Sequence, residues 1–113
     1  QMCIRDRYEG SAYRRDSSYH QGITWPWLLG LYYDALKNTM IIEKNRTKRQ
    51  ELEEKITKLV YTTKETFKAE MFERSSIGTI SEIYDSTEPY EERGAFAQAW
   101  SVAEIFRIVL NKR

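Results

Sequence analysis

The stretch Tyr19-His20-Gln21-Gly22-Ile23-Thr24-Trp25-Pro26-Trp27 sets large flat rings beside an imidazole and a primary amide. That mixture suits a pyranose, which offers an apolar face of C–H groups to an aromatic ring and a girdle of hydroxyls to fixed donors and acceptors. A second stretch, Gly78-Thr79-Ile80-Ser81-Glu82-Ile83-Tyr84-Asp85, places two acids close to an aromatic. Glu82 stands between Ile80 and Ile83, where burying a carboxylate is expensive unless its charge is used or paired. Hydrolysis of a glycosidic bond usually takes two carboxylates, one to protonate the leaving oxygen and one on the other side of the ring. This stretch offers one good candidate, so it is not a complete site.

Plainer roles fit the same residues. The tryptophans fit core packing, His20 a helix cap, Glu82 a solvated loop and Asp85 a turn. Arg14-Arg15 beside Asp16 reads first as a surface ion pair. His20 is the only histidine, which excludes a histidine metal cluster or a Cys-His dyad within the chain. Gly10, Gly22, Gly30, Gly78 and Gly94 make no phosphate-cradling spacing. Neither a metal nor a cofactor is expected.

Three helices are needed to position these stretches. Trp25, Leu28, Leu29, Tyr32 and Leu36 recur at helical spacing, with Pro26 where a first turn tolerates it, and Trp27, Leu31 and Tyr33 make the other face apolar too. Such a helix is expected to be buried on most sides. From about 45 to 74 a single apolar stripe of Leu52, Ile56, Leu59, Val60, Phe67 and Met71 runs through a Lys/Glu-rich background. It predicts a long outer helix, capped by Asn45 or Thr47 and broken at Ser75-Ser76 and Gly78. Residues 75–94 read as an irregular loop with one short strand near Thr79–Tyr84, too long and aromatic for a mere connector. A third helix, from about Phe96 to Leu110, is again apolar nearly all round and expected to be buried. The alternation of buried, one-faced and buried helices suggests an inner and an outer ring.

Composition removes other functions. No apolar run approaches a membrane span. Residues 1–7 (QMCIRDR) match what a common sequencing adapter encodes in frame and are expected to be foreign, leaving 8–113 as the domain segment. Without Arg5 and Arg7 the 18 basic residues become 16, and without Asp6 the 17 acidic ones become 16, so the remainder is neutral. Neither a nucleic acid nor a membrane surface is expected as a partner. Cys3 is the only cysteine, so residues 8–113 hold none, which fits a cytoplasmic origin. The polar, basic Asn111-Lys112-Arg113 reads as a natural helix end, while the start is expected to be artificial.

The strings YHQGITWPWLLG and GTISEIYD, followed by RGAFAQAWSVAEIFR, resemble the closing motifs of the C-terminal amylo-α-1,6-glucosidase domain of glycogen debranching enzymes. The resemblance covers about Tyr8–Met40 and Ser76–Leu110, in the family's order. It implies an all-α fold, the last helices of an incomplete (α/α)6 toroid of the glucoamylase-like type. It implies Glu82 as general base, activating water for inverting attack on a branch-point glucose of glycogen or a limit dextrin. The partner acid, an aspartate about 6.5 to 9.5 Å away in inverting geometry, is not in this chain. The same carry-over makes Tyr19, His20, Gln21 and Trp25, with Gln98 and Trp100 beside them, substrate-contacting residues. The family often has a glycine after the aspartate of this loop; here Ser86 and Thr87 follow Asp85. Two other readings stand beside this one. A related barrel glycosidase, glucoamylase-like or trehalase-like, would share the fold and loops, and a noncatalytic helical interaction module predicts Glu82 turned to solvent, away from Trp25.

Overall fold

A computed structural model describes residues 5–74 and 77–111. Among these the chain forms four helices: α1 (Ala12–Tyr19), α2 (Leu28–Ile42), α3 (Arg46–Glu73) and α4 (Ala99–Leu110). Between α3 and α4 lies a two-stranded antiparallel ribbon, β1 (Ile83–Tyr84) and β2 (Glu92–Arg93), paired Ile83 to Arg93 and Tyr84 to Glu92. Among the described residues the protein is therefore mostly helical, and the ribbon departs from all-α. Its second strand is polar and carries none of the alternation that marks a strand in sequence.

The long helix α3 follows the apolar stripe. The Asn45 side chain caps it by accepting from the Lys48 N–H at 3.1 Å, which fixes its start next to the expected position. It ends at Glu73; the proposed serine break lies outside the described residues, but Gly78 beyond it has φ +81 and its N–H returns to the Met71 carbonyl at 2.8 Å. α2 begins at Leu28 rather than Trp25, because Trp25, Pro26 and Trp27 form the turn whose carbonyls accept from Leu28, Leu29 and Gly30. α4 likewise begins at Ala99 rather than Phe96, since the Gln98 N–H is drawn to the Ile80 carbonyl, and Phe96 lies exposed in the loop.

Within this chain the burial expected of α2 and α4 is reached on one face of each. Each packs against α3 and against the other, and that contact covers one face only. On α2, Tyr33 is 1% exposed whereas Leu31 is 56% exposed and Leu28 and Tyr32 are open too. On α4, Ser101, Ile105 and Ile108 are buried while Trp100, Phe106 and Leu110 face out. The core gathers Ile80, Tyr84 and Ile105, packed against Leu29, Phe67, Met71, Val102 and Val109. Between α2 and α4 the Arg107 guanidinium takes both oxygens of Asp34 at 2.8 and 3.0 Å and also bonds Glu104. These bonds hold Arg107 protonated and pull the Asp34 carboxyl below its ordinary range. Gly30 allows the approach, because a Cβ there would overlap the Glu104 carboxylate.

The short helix α1 was not anticipated. Its sequence AYRRDSSY has too few apolar residues for a periodic signal; the available clue was Ser11, whose hydroxyl oxygen caps the helix by accepting from the Arg14 N–H.

Candidate functional site

The ribbon determines where Glu82 lies. β1 is bonded on one side to β2 and on the other to Thr24, whose N–H donates to the Tyr84 carbonyl at 3.0 Å while the Tyr84 N–H returns to Thr24 at 2.9 Å. This bridge draws the ring-rich stretch that follows α1 alongside the acid-bearing one, from 60 residues away in sequence. Ser86, standing where the resembled family often has glycine, adds to the join. Its hydroxyl donates to the Gly22 carbonyl and lies 2.7 Å from the Thr24 hydroxyl.

Glu82 is half-buried and both of its oxygens are engaged. Oε1 accepts a short hydrogen bond from the Tyr19 hydroxyl, and Oε2 accepts from the Ala95 N–H at 3.0 Å. The Glu82 N–H in turn donates to the Ala95 carbonyl at 2.9 Å, so side chain and main chain are fixed by one residue. Burial, and then the hydrogen bond to the Glu82 carboxylate, push the Tyr19 hydroxyl up to about 12, which keeps it a donor across the physiological range.

Around this pair the rings assemble. Tyr19 packs edge-on against Trp25 at 4.6 Å and His20 at 4.8 Å, and Tyr8 lies 5.6 Å away. His20 and Trp25 stack nearly parallel, 3° apart with centroids at 5.4 Å. Trp100, on the first turn of α4, meets Trp25 at 6.2 Å and Trp27, at the start of α2, at 5.8 Å. Glu82, Tyr19, His20, Trp25 and Trp100 thus share the end of the molecule where α2 and α4 begin. The interaction-module expectation, with Glu82 turned away from Trp25, is not what is observed. The Trp25 indole N–H donates to the Tyr19 carbonyl at 3.0 Å, so Trp25 has a ring face rather than a polar tip to offer.

Gln21 and Gln98 do not join the ring cluster through the bonds seen here. Gln21 closes the turn after α1, its N–H on Ser18, with its side chain exposed, and Gln98 carries the main-chain tie to Ile80 at the start of α4. Tyr8, Gly94 and the Ala95 amide also take part, beyond the residues expected from sequence. Only Gly94 left a signal, as a glycine between a polar strand and an apolar run.

Asp85, the other acid of the loop, is structural. It is 2% exposed and accepts from the Tyr8 N–H at 2.8 Å and from Arg93 Nε and a terminal guanidinium nitrogen at 3.1 and 2.9 Å. Those bonds hold Arg93 all the more firmly protonated. Behind β1 the Tyr84 hydroxyl donates to Glu70 at 2.6 Å and accepts from the Ser81 N–H at 3.3 Å, and Arg74 lies 3.6 Å from Glu70 and 3.7 Å from Glu92. Burial outweighs those partners and raises the Glu70 carboxyl, while burial and the carboxylate push Tyr84 up. Residues 5–8 run beside the 84–88 loop, with Ser86 donating to the Asp6 carbonyl and Arg7 to the Glu88 carbonyl.

Two depressions lie away from the Glu82 cluster. One of about 860 Å³ is a trough along α3 from Arg46 to Tyr61, and one of about 500 Å³ lies between α3 and the 84–90 loop. Among the described residues no group of three or more His, Cys, Asp or Glu side chains could hold a metal ion, and no helix is long and apolar enough to cross a membrane.

No curated protein and no solved structure matches the chain. The family model described as amylo-alpha-1,6-glucosidase matches residues 2–107, which takes in α1 to α3, the ribbon, α4 up to Arg107 and every residue around Glu82. The chain accordingly belongs to the amylo-alpha-1,6-glucosidase family, glycosidases of the glycogen-debranching type.

Proposed function

We propose that residues 8–113 are the C-terminal part of an (α/α)6 toroidal glucosidase domain, that residues 1–7 are foreign to it, and that the whole enzyme hydrolyses α-1,6-linked glucose at branch points of glycogen or a related glucan in the cytoplasm. The observation that carries this is the setting of Glu82, a half-buried carboxylate oriented by two donors at the edge of an aromatic cluster. In the reaction, Glu82 takes a proton from water as the water oxygen bonds to the anomeric carbon. The bond to the leaving oxygen breaks on the opposite face, and that oxygen is protonated by an acid from a part of the enzyme outside this chain. Configuration at the anomeric carbon inverts. The half-open Trp25 and Trp100 rings offer faces to the apolar side of a glucose unit, and His20, Gln21 and Gln98 supply groups for its hydroxyls. The Tyr19 hydroxyl is already committed to Glu82.

The test is glucose release from a branched limit dextrin by the complete enzyme and its Glu82→Gln variant. Loss of a general base lowers kcat by roughly 100-fold to 10,000-fold, and retained activity would overturn the assignment.

A further inference from the structure

Glu82 is held from two sides before any substrate arrives. The Tyr19 hydroxyl occupies one lone pair of Oε1 and the Ala95 amide one of Oε2, which leaves each oxygen a further lone pair. The amide reaches Oε2 only because Gly94 precedes it. A Cβ at Gly94 would stand 2.5 Å from Oε2 and 3.0 Å from Ile83 Cγ1, and its φ of +70 is one that side chains resist. Tyr19 in turn is fixed by its ring neighbours Tyr8, His20 and Trp25. A sugar hydroxyl competing for the Tyr19 phenol would have to displace it from a carboxylate, the stronger acceptor.

We propose that Tyr19 and the Gly94-Ala95 amide form a clamp that orients the Glu82 carboxylate toward water, so that Tyr19 is a positioning residue acting through Glu82 rather than a contact to the sugar. This rests on the general-base reading above. With the clamp intact the carboxylate keeps one rotamer and a lone pair aimed at the attacking water; without the phenol it turns about its last torsion and the reactive geometry is populated less often.

The complete enzyme carrying Tyr19→Phe, which keeps the ring contacts and removes only the hydroxyl, tests the proposal in a double-mutant cycle with Glu82→Gln. The expected result is a kcat reduced by roughly 10-fold to 100-fold with KM nearly unchanged, and no further loss when Tyr19→Phe is added to Glu82→Gln. A raised KM with kcat retained, kinetics equal to wild type, or equal losses in both backgrounds would each overturn it. A second measurement needs no activity: carbon NMR of labelled tyrosine in the complete enzyme should find Tyr19 titrating at about 12, and lower in Glu82→Gln, where burial still holds it above its ordinary 10.0. A Tyr19 titration indifferent to Glu82→Gln removes the clamp alone, whereas full activity of the Glu82→Gln enzyme removes the general base and the clamp's purpose together.

Discussion

Glu82 and Asp85 are three residues apart on one loop, yet their surroundings give them opposite roles. Asp85 is closed in by Tyr8 and Arg93 and has nothing left to offer a substrate, while Glu82 is oriented but only half-buried. Replacing Asp85 by Asn should therefore act on stability, costing about 1–3 kcal/mol in a urea melt. Gly94→Ala should act on both counts. Forcing a side chain into its left-handed conformation costs about 1–3 kcal/mol, and the new methyl displaces the Glu82 carboxylate, so kcat should fall even where the folded fraction is restored by cooling. Glu82 was legible as a candidate from its type and neighbours, and so were His20 and Trp25. The clamp was not legible, because a backbone amide and a glycine carry no chemical signature in sequence and Tyr19 lies 63 residues from its partner.

Elements show the same division between local and distant causes. α3 was readable nearly to the residue, since its stripe and its Asn45 cap are both local. The starts of α2 and α4 were misread by three residues because Trp25-Pro26-Trp27 and Phe96-Ala97-Gln98 continue the apolar pattern while distant partners, Tyr84 and Ile80, hold the adjoining backbone in turns and loop. Between α2 and α4, Gly30→Ala should push the helices apart around Glu104 and Arg107, at a cost of about 1–3 kcal/mol by thermal melting. Behind β1, Glu70 has its carboxyl raised by burial, so the folded state binds its proton more tightly than the unfolded chain does. That contribution is full below the ordinary carboxyl range and is lost as pH rises through the raised value. Glu70→Gln, which can still accept from Tyr84, should flatten that part of the pH–stability curve, whose slope for one proton is at most about 1.4 kcal/mol per pH unit. An unchanged curve would place the pH dependence elsewhere.

As a whole the molecule is more extended than its length requires. Its radius of gyration is 16.0 Å with extents of 51 × 39 × 21 Å, against about 13 Å for a compact chain of this size. The apolar faces of α2 and α4 remain uncovered at Leu28, Leu31, Tyr32, Phe106 and Leu110. This chain alone should bind a hydrophobic dye and self-associate; a sharp, cooperative melt of a dye-free monomer would contradict that picture. Nearly all-round apolar helices were legible in sequence, but what covers them was not. The central claim is that Glu82 delivers water to the anomeric carbon, and chemical rescue tests it most directly. In the complete Glu82→Ala enzyme, azide can enter the space left by the side chain and attack the anomeric carbon without giving up a proton. Azide is predicted to restore turnover of an activated α-glucoside and to yield the β-glucosyl azide; a folded, substrate-binding variant that azide leaves inactive, or that yields the α-azide, would contradict it.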